Sequence, residues 1–449
     1  MDLFALITVD CLRYDLYKSL LKIFDNRLGK ISFSNCYSLG PYTAASFPGL
    51  FSGLPTFILG YHSLKEVANR KLLTEYLSKA GFKCFGISGN NVFLTRYFGY
   101  HKGFEKFIDY VTFYENDNKN IFTKNIRILR RIFLSGRLKI LGKISFISIP
   151  TIAFITSNKI LEPVLNCIRE INTFISLIKK FRGGKVKRIF VWLHLMDLHT
   201  PYSIYLRNLH NMHRIFGIRL YETGLIPINR FIIKSAKELY YASFNFLLYT
   251  LKNFIHYLQN FSERYGYNLT IIITGDHGEE LGEHNALGHQ GIIYYNYSIP
   301  HIYNELIKVP LIIASSKLDS SEERKSLCSH IDLLPTILSI LNVKHKAIKF
   351  LPGINLIDMD RKKFYVFSEA EAIKIRDTYY GRKIALIAED EIKAIFNPIT
   401  GLEIYDLKKD PYEKEKLNDR DIRKDFEKLL KMYLRFKRKI ELKYKLLIK

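Results

Sequence analysis

Residues 268–284 read NLTIIITGDHGEELGEH, a short apolar run that ends abruptly in glycine, acid and histidine. The apolar part, residues 269–274, is nearly continuous in aliphatic and β-branched side chains, which is typical of a strand covered on both faces by helices. Asp276 and His277 follow it directly, with a glycine on either side of the pair. Because open α/β sheets bind ligands at the carboxyl ends of their strands, this stretch predicts a central strand with a binding site at its end.

Similar apolar runs alternate with helical patterns along most of the chain. The strand candidates are residues 3–9, 83–87, 188–195, 269–274 and 309–314, and the helical candidates are residues 74–80, 234–261 and 331–341. Alternation of this kind predicts an α/β fold, a three-layer α/β/α sandwich with a large, mostly parallel central sheet.

Two segments depart from this alternation and define the predicted domains. A basic, apolar-rich and mainly helical insertion occupies residues 110–187 of a catalytic domain that spans residues 1–345. After about residue 350 the runs become short and turn-rich, which predicts a small antiparallel C-terminal subdomain, residues 346–449, closed by a basic amphipathic helix over 420–447. The candidate strands of this subdomain are residues 364–368, 383–388, 392–396 and 402–405.

The formal net charge of +25 is concentrated in the insertion. Between Lys119 and Lys187 the chain has 15 basic residues and 2 acidic ones. Such a segment either presents a solvated basic face or contacts an anionic membrane or polyanion. No RNA- or DNA-binding motif accompanies the charge, so we predict no specific nucleic-acid binding.

The cysteines and the apolar runs predict a cytoplasmic protein. The five cysteines are scattered and odd in number, a pattern of reduced thiols that fits neither a disulfide framework nor a CxxC zinc site. A strand already begins at residue 3, which leaves no room for a signal peptide. The longest nearly uncharged run, residues 144–158, is too short to cross a bilayer. We therefore predict no membrane span, with peripheral membrane contact left open.

Three further positions carry candidate chemistry. Asp10 ends the first predicted strand, and His199 lies in a turn after the strand over residues 188–195. Thr43 begins a predicted helix, where unpaired amides and the positive end of the helix dipole favour an anionic group. A threonine at that place is more often a helix cap, so the motif alone does not make Thr43 catalytic.

Taken in order, these motifs resemble one known family. The chain contains TVDCLR at 8–13, YTAASFPGLFSG at 42–53, HLMDLHTPY at 194–202, TGDHGEELGEH at 274–284 and GHQG at 288–291. Their order and composition resemble the sulfatase branch of the alkaline-phosphatase superfamily. Residues 301–313, 330–341 and 403–419 continue the resemblance, which runs collinearly from residue 3 to about 418 and is weakest in the insertion.

The resemblance implies a set of site residues. Asp10, Asp276 and His277 match the family's metal ligands, and Thr43 matches the nucleophile, which also contacts the metal. His199 and His289 match positions that hold the charged oxygens of the substrate or act on its leaving group.

Two departures from the family refine the expected chemistry. Sulfatases have a Cys or Ser that is converted to formylglycine in a C/S-x-P-x-R pattern, whereas this chain has Thr43 there and lacks both the Pro and the Arg. Threonine cannot become formylglycine and is similar instead to the nucleophile of phosphoglycerol and phosphoethanolamine transferases. Asp10 is followed by Cys11 where many sulfatases have a second acid that binds calcium. With His277 in the set, one Mn²⁺, Mg²⁺ or Zn²⁺ ion is expected rather than Ca²⁺.

The sequence therefore predicts a metal-dependent hydrolase or phosphotransferase that acts on an anionic ester, with phosphate esters as the first choice. Sulfate ester hydrolysis is the second choice. A two-metal phosphodiesterase would need Asp197, His199 and His289 to hold a second cation. An inactive binding protein on the same fold would be expected to have lost the nucleophile or a ligand, and all four positions are present.

Overall fold

The computed structural model describes residues 1–55, 70–89, 91–109, 112, 166–182, 186–200, 202, 209–222, 224–289, 291–294, 297–345, 351–358, 362–370 and 382–447. The strands of these ranges are β1 (Asp2–Val9), β2 (Gly29–Tyr37), β3 (Lys83–Ile87), β4 (Lys106–Ile108), β5 (Arg188–Leu195), β6 (Asn268–Gly275), β7 (Glu280–Leu281), β8 (Leu287–Gly288), β9 (Ile292–Tyr294), β10 (Tyr297–Ile299), β11 (Lys308–Ser315), β12 (Glu322–Arg324), β13 (Cys328–Ser329), β14 (Tyr365–Ala370), β15 (Lys383–Ala388), β16 (Ile392–Asn397) and β17 (Gly401–Asp406). Their α-helices are α1 (Tyr17–Leu21), α2 (Thr43–Ser52), α3 (Leu73–Lys79), α4 (Asn166–Ile178), α5 (Leu209–Glu222), α6 (Arg230–Tyr265), α7 (Asn304–Ile307), α8 (Leu333–Ile340) and α9 (Arg420–Leu447).

The central sheet is mixed but mostly parallel. In the described part of the chain it has nine strands in the order β12-β2-β11-β6-β1-β5-β3-β4, with β13 also paired to β2. Strands β6, β1, β5, β3 and β4 pair in parallel with one another in that order, whereas β11 is antiparallel to both β6 and β2. Because β11 is antiparallel to both of its neighbours, β2 runs the same way as β6, and the carboxyl ends of β1, β2, β3, β5 and β6 meet at one edge.

Alternating side chains of the central strands supply two cores, one on each face of the sheet. In β1, Leu3, Ala5 and Ile7 face a core that contains side chains of α1, α4, α5 and α6. Phe4 and Leu6 face the opposite core, which contains side chains of α2, α3 and α8. This placement gives the predicted α/β/α sandwich, and the fold prediction is confirmed.

The described part of the basic insertion includes one regular helix. Helix α4 buries Cys167, Ile171 and Phe174 against the sheet core, so it is an ordinary layer helix. Residues 113–165, which make up most of the segment for which contact with a membrane or polyanion was predicted, lie outside the described residues. None of the described helices combines the length and apolarity needed to cross a membrane. The five cysteines are all buried and form no disulfide.

The C-terminal strands β14 to β17 form a four-stranded antiparallel sheet in sequential order, as the turn-rich runs predicted. Helix α9 packs Phe426, Leu430 and Tyr433 against one face of this sheet. The other face contacts Leu306 and Ile307, at the end of α7 and just before β11. The small sheet therefore supports the segment that leads into the central sheet beside the Asp276 loop.

A buried ion pair joins the small sheet to α7. Lys393 Nζ lies 2.7 Å from Glu413 Oε1, and both side chains are fully buried. Lys393 also donates hydrogen bonds to Ile302 O at 2.8 Å and Asn304 Oδ1 at 3.2 Å, and Glu413 Oε2 accepts one from Asn304 N at 2.6 Å. The pair therefore fixes the start of α7 from two sides.

We expect Lys393→Met to lower the free energy of unfolding by about 3–5 kcal/mol, because it leaves the Glu413 carboxylate buried without its cation. Chemical denaturation of both proteins at neutral pH would measure the change. Lys416→Met is the matched control: Lys416 pairs with Glu403 at 2.8 Å but is 59% exposed, so its loss should cost less than about 1 kcal/mol. Equal losses in the two variants would contradict a structural role for the buried pair.

Candidate active site

Two strand ends bring the predicted metal ligands together. Strand β1 pairs in parallel with β6, and Val9 lies opposite Gly275 in the register. Asp10 and Asp276 are the next residues of the two strands, so they leave the sheet side by side, and His277 follows at once. All three side chains are completely buried.

The ligand atoms of these three residues converge. Those of Asp10, Asp276 and His277 all lie within 4.8 Å of one another. His277 Nε2 is 3.6 Å from Asp10 Oδ1 and 3.6 Å from Asp276 Oδ2. Asp276 Oδ2 is buried without a hydrogen-bond partner in the described structure. A buried carboxylate oxygen without a partner is costly, and a divalent cation would satisfy it, so these residues fit such an ion.

Burial and nearby charges move the pKa values of these three residues in different directions. Burial raises the pKa of Asp276 well above its ordinary value, and the nearby charge of Asp10 raises it further. Burial also disfavours the charged form of Asp10, but the hydrogen bond with His194 and the charges of His199 and His277 lower its pKa well below the ordinary value. Burial and nearby His289 lower the pKa of His277 to about 3, so its imidazole is neutral and can donate a lone pair.

Thr43 lies beside this group at the start of α2. The helix cap is Tyr42, which has extended backbone angles, and Thr43 is the first residue in the helix. The Thr43 hydroxyl is directed to the group of Asp10, Asp276 and His277: Oγ1 donates to Asp10 Oδ2 at 3.3 Å and lies 3.3 Å from His277 Nε2. Ser46, one turn later, donates to Asp276 O at 2.6 Å. This bond holds α2 against the loop that carries Asp276 and His277, here called the ligand loop.

His289 reaches the same centre from the turn after β8. Its ring centroid lies 4.6 Å from that of His277 and 5.1 Å from that of His199. Nδ1 of His289 is 2.8 Å from Glu279 Oε2, and Tyr202 donates to the other oxygen of Glu279 at 2.8 Å. Burial opposes the protonated form of His289, but the charge and hydrogen bond of Glu279 prevail and raise its pKa. His289 is therefore suited to hold or donate a proton.

His199 and Asp197 have different positions. His199 Nδ1 contacts Thr200 O at 2.8 Å, which leaves Nε2 for other contacts near His289. Asp197 instead accepts a hydrogen bond from Cys167 N at 3.3 Å, at the beginning of α4, and burial raises its pKa to about 6. Among the described residues, neither Asp197 nor His199 belongs to a group of converging ligand atoms.

Four contacts of the site were not predicted. Asn91 is buried and donates to Asp10 Oδ2 at 2.9 Å. His194 is also buried, and its Nε2 lies 3.4 Å from the same oxygen. Cys11 donates to Asp10 Oδ1 at 3.0 Å, and Glu279 holds His289 as described above.

The backbone of the ligand loop packs too closely for a side chain at one position. Gly278 N donates to Leu306 O at 2.7 Å, and a Cβ at Gly278 would overlap Glu305 O. Arg13 fixes the loop from the other side, since its Nη1 donates to Glu279 O at 2.6 Å. These contacts explain why the glycine follows His277 and why Arg13 is a structural residue.

Comparison with known proteins finds a family, a relative and solved structures that are similar to this chain. The sulfatase family matches residues 27–343. The uncharacterized sulfatase YidJ of Escherichia coli (strain K12) is 30% identical over 158 residues, which are 35% of this chain and 29% of the length of that relative.

Two solved structures resemble almost the whole chain. The phosphonate monoester hydrolase of Agrobacterium radiobacter has a TM-score of 0.65 at 16% identity, with 97% of this chain and 96% of that chain covered. The putative sulfatase yidJ of Bacteroides fragilis has a TM-score of 0.64 at 14% identity, with the same coverage.

The fold is that of the alkaline-phosphatase superfamily, a class that contains ester hydrolases. Within that superfamily, the chain belongs to the sulfatase family, since the family match covers well over half of its length.

Proposed function

We propose that this protein is a metal-dependent hydrolase or transferase of phosphate esters that uses Thr43 as its nucleophile. The observation that carries the proposal is the position of the Thr43 hydroxyl, 3.3 Å from both Asp10 Oδ2 and His277 Nε2. A threonine that served only as a helix cap would direct its oxygen to a backbone amide, and Tyr42 occupies the cap position here.

Asp10, Asp276 and His277 would hold one divalent cation, with the Thr43 hydroxyl as a further ligand. Such an ion supplies Lewis acidity, which lowers the pKa of a coordinated hydroxyl and offsets charge on the ester oxygens. The orphaned oxygen of Asp276 and the neutral imidazole of His277 are the features that favour this ligand role.

The chain's own groups account for the remaining steps. Thr43 Oγ1 would lose its hydroxyl proton to solvent and then attack the phosphorus, forming a bond to it as the bond to the leaving oxygen breaks. Asp10 accepts the hydrogen bond of the hydroxyl and orients it. The positive end of the α2 helix dipole, at Thr43, favours the developing negative charge. His289, held by Glu279, gives a proton to the leaving oxygen, and His199 lies beside it to position the ester. Water or a second alcohol then releases the covalent intermediate.

Phosphate esters are preferred because a threonine cannot supply the formylglycine of ordinary sulfatases. Sulfate and phosphonate esters are the second candidate substrates, supported by the sulfatase family and by the similarity to a phosphonate monoester hydrolase. The two-metal phosphodiesterase is less well supported, because Asp197 contacts the start of α4 instead. An inactive binding protein does not account for four converging, buried site residues.

The proposal is tested with purified protein that is first freed of metal and then reloaded with Mn²⁺, Mg²⁺, Zn²⁺ or Ca²⁺. Turnover of matched aryl phosphate monoesters, phosphodiesters, phosphonate monoesters and sulfate esters should require the metal and should be fastest for a phosphorus ester. Turnover that persists after complete metal removal would refute the metal dependence, and a preference for the sulfate ester would refute the order of substrates.

Two further features of the proposal concern location. We place the protein in the cytoplasm, because its five buried cysteines form no disulfides. We also propose peripheral contact of the basic insertion with an anionic membrane or polyanion, supported by 15 basic residues against 2 acidic ones between Lys119 and Lys187. Flotation with liposomes that contain or lack anionic lipid tests the membrane contact, and equal recovery with both would refute it.

We expect Glu279→Gln to move the alkaline limb of the activity profile to lower pH. The charge of Glu279 raises the pKa of His289, so the proton on His289 is retained to a higher pH in the wild type. Without that charge, His289 loses its proton earlier as pH rises, and the leaving group loses its acid. Measuring kcat against pH for both proteins gives the shift.

Tyr202→Phe is the control for this prediction. It removes the 2.8 Å hydrogen bond to the same carboxylate but keeps the negative charge. Its alkaline limb should therefore stay near that of the wild type. If both variants shift equally, packing around Glu279 and not its charge controls the profile.

A further inference from the structure

We propose that Cys11 Sγ is a direct ligand of the cation at the Asp10 centre, and that this thiolate makes the site selective for Zn²⁺ over Mg²⁺ and Ca²⁺. The inference rests on the metal centre of the proposed function and adds a ligand and a metal identity to it. It concerns Cys11, which follows Asp10 directly in the chain.

The backbone holds Cys11 in an uncommon conformation. Its φ is 60°, in the left-handed region that residues with a β-carbon seldom adopt. Tyr240 donates to Cys11 O at 2.7 Å and accepts from Arg13 N at 3.2 Å, so a single buried hydroxyl fixes both sides of the turn. A strained conformation persists where its surroundings impose it, and here the turn places Sγ beside Asp10 Oδ1 at 3.0 Å.

Two groups of converging ligand atoms share one imidazole. The first is Asp10, Asp276 and His277, and the second is Cys11, His277 and His289. His277 Nδ1 contacts Gly278 O at 2.8 Å, which makes Nδ1 the protonated nitrogen and leaves a single lone pair, on Nε2. One lone pair binds one ion. Cys11 Sγ and the group of Asp10, Asp276 and His277 therefore belong to one site, in which Asp10 Oδ1 is 3.0 Å from the thiol and 3.6 Å from the imidazole.

The distances suit a zinc ion. With bonds of about 2.0–2.1 Å to N and O and about 2.3 Å to S, the ligand atoms of a tetrahedral ion lie about 3.3–3.5 Å apart, and the Thr43 hydroxyl would be a fifth ligand in an expanded, five-coordinate site. The observed separations are 3.0 Å from Cys11 Sγ to Asp10 Oδ1 and 3.6 Å from His277 Nε2 to each of Asp10 Oδ1 and Asp276 Oδ2. Small side-chain adjustments would bring these atoms to one cation.

The chemical type of the donor atoms determines which metal ion the site prefers. Carboxylates alone would suit Mg²⁺, Mn²⁺ or Ca²⁺, whereas thiolate and imidazole donors favour Zn²⁺ and other thiophilic ions. Binding exchanges the Cys11 thiol proton for the cation and releases that proton to solvent. The thiol then no longer donates to Asp10, whose oxygen becomes available to the same ion.

Cobalt spectroscopy tests the inference on the whole chain without an activity assay. Metal-free wild type is titrated with Co²⁺, and we expect one ion per chain with a thiolate-to-cobalt charge-transfer band in the near ultraviolet. Cys11→Ser should lose that band, whereas Cys84→Ser, which changes a buried cysteine outside both ligand groups, should keep it. In competition with Co²⁺, Cys11→Ser should bind Zn²⁺ at least about 10–100-fold more weakly than the wild type, the loss that follows from removing a residue that only hydrogen-bonds to a metal ligand. Its affinity for Mg²⁺ should change little.

The outcomes separate the two levels of the proposal. Wild type that binds one Co²⁺ without a thiolate band refutes Cys11 as a ligand and leaves the centre formed by Asp10, Asp276 and His277 intact. Wild type that binds no Co²⁺ refutes both. Because the wild-type spectrum alone gives these answers, they do not depend on the folding of Cys11→Ser. Unchanged Zn²⁺ affinity in a folded Cys11→Ser protein would also refute the inference, since it would make Cys11 only a hydrogen-bond donor to Asp10.

Discussion

Thr43→Ala should lower turnover by at least about a thousandfold while the protein remains folded. The substitution removes the only atom that forms the covalent intermediate in the proposed mechanism, and loss of a nucleophile removes most of the rate enhancement. The residues that would bind the metal, Asp10, Asp276 and His277, are unchanged. Metal affinity should therefore stay within a few-fold of the wild type, because the substitution removes only one weak hydroxyl ligand.

The stability of the variant should change little. Thr43 is not the helix cap, and α2 is held by the Ser46 contact with Asp276 O and by the buried side chains of Phe47 and Leu50. Loss of one hydrogen bond costs about 1 kcal/mol, and alanine has a higher helix propensity than threonine, which offsets part of it. A fold of this size tolerates such a change.

Steady-state turnover of the best ester at saturating metal and equal folded concentration measures the effect. Thr43→Ser keeps a hydroxyl and should keep measurable activity. Thr74→Ala is the matched structural control, because Thr74 is also buried in the first turn of a helix, α3, and donates to Lys102 O at 2.5 Å. A fully active Thr43→Ala protein would show that the hydroxyl has only a structural role.

Much of the fold could be predicted because its central strands are continuous apolar runs. Strands β3 and β5 were predicted with the observed bounds, and β1, β6 and β11 to within one residue at each end. Strand β2 was missed because its sequence, GKISFSNCY, mixes glycine, serine and asparagine with apolar residues. Those polar side chains are satisfied only by distant partners: Ser32 donates to Glu322 O at 3.3 Å and Asn35 to Lys325 O at 3.0 Å. Such tertiary contacts leave no periodic signal in the sequence.

Site residues that directly follow a strand could be predicted from the sequence, whereas site residues placed by tertiary packing could not. Asp10, Asp276 and His277 each follow an apolar run directly, so sheet topology alone places them together. Asn91 and Glu279 follow no such rule. Asn91 reaches Asp10 from the loop after β3, and Glu279 reaches His289 across a turn of ten residues. An acid two residues beyond the predicted ligand His277 was the available signal for Glu279.

Asp276→Asn should abolish the stabilisation of the folded protein by metal. A cation that binds only the folded state at a hundred times its Kd adds about 2.7 kcal/mol to the free energy of unfolding. Asparagine is nearly isosteric with aspartate but replaces the anionic oxygen, which is otherwise buried without a partner, by a neutral group. We therefore expect a metal-dependent rise in melting temperature for the wild type and almost none for the variant.

The metal-free variant should be at least as stable as the metal-free wild type above acid pH. Burial and the charge of Asp10 raise the pKa of Asp276 in the folded state above its value in the unfolded chain. As pH rises between the two values, the unfolded chain releases a proton that the folded protein keeps, so the free energy of unfolding of the wild type falls. The asparagine side chain of the variant does not titrate, so this loss should be absent from it.

Asp332→Asn separates the metal effect from the general effect of altering a buried acid. Asp332 is fully buried too, but its oxygens are satisfied, accepting from Ser329 N at 2.9 Å and Ile354 N at 2.7 Å and pairing with Lys363 at 2.7 Å. Its substitution should destabilise the metal-free protein and leave the gain on adding metal unchanged, the reverse of Asp276→Asn. Thermal melts of the three proteins with and without metal give both quantities. If adding metal still raised the free energy of unfolding of Asp276→Asn by about 2.7 kcal/mol, the cation would have to bind elsewhere, because this variant lacks the anionic oxygen of Asp276 that the proposed site requires.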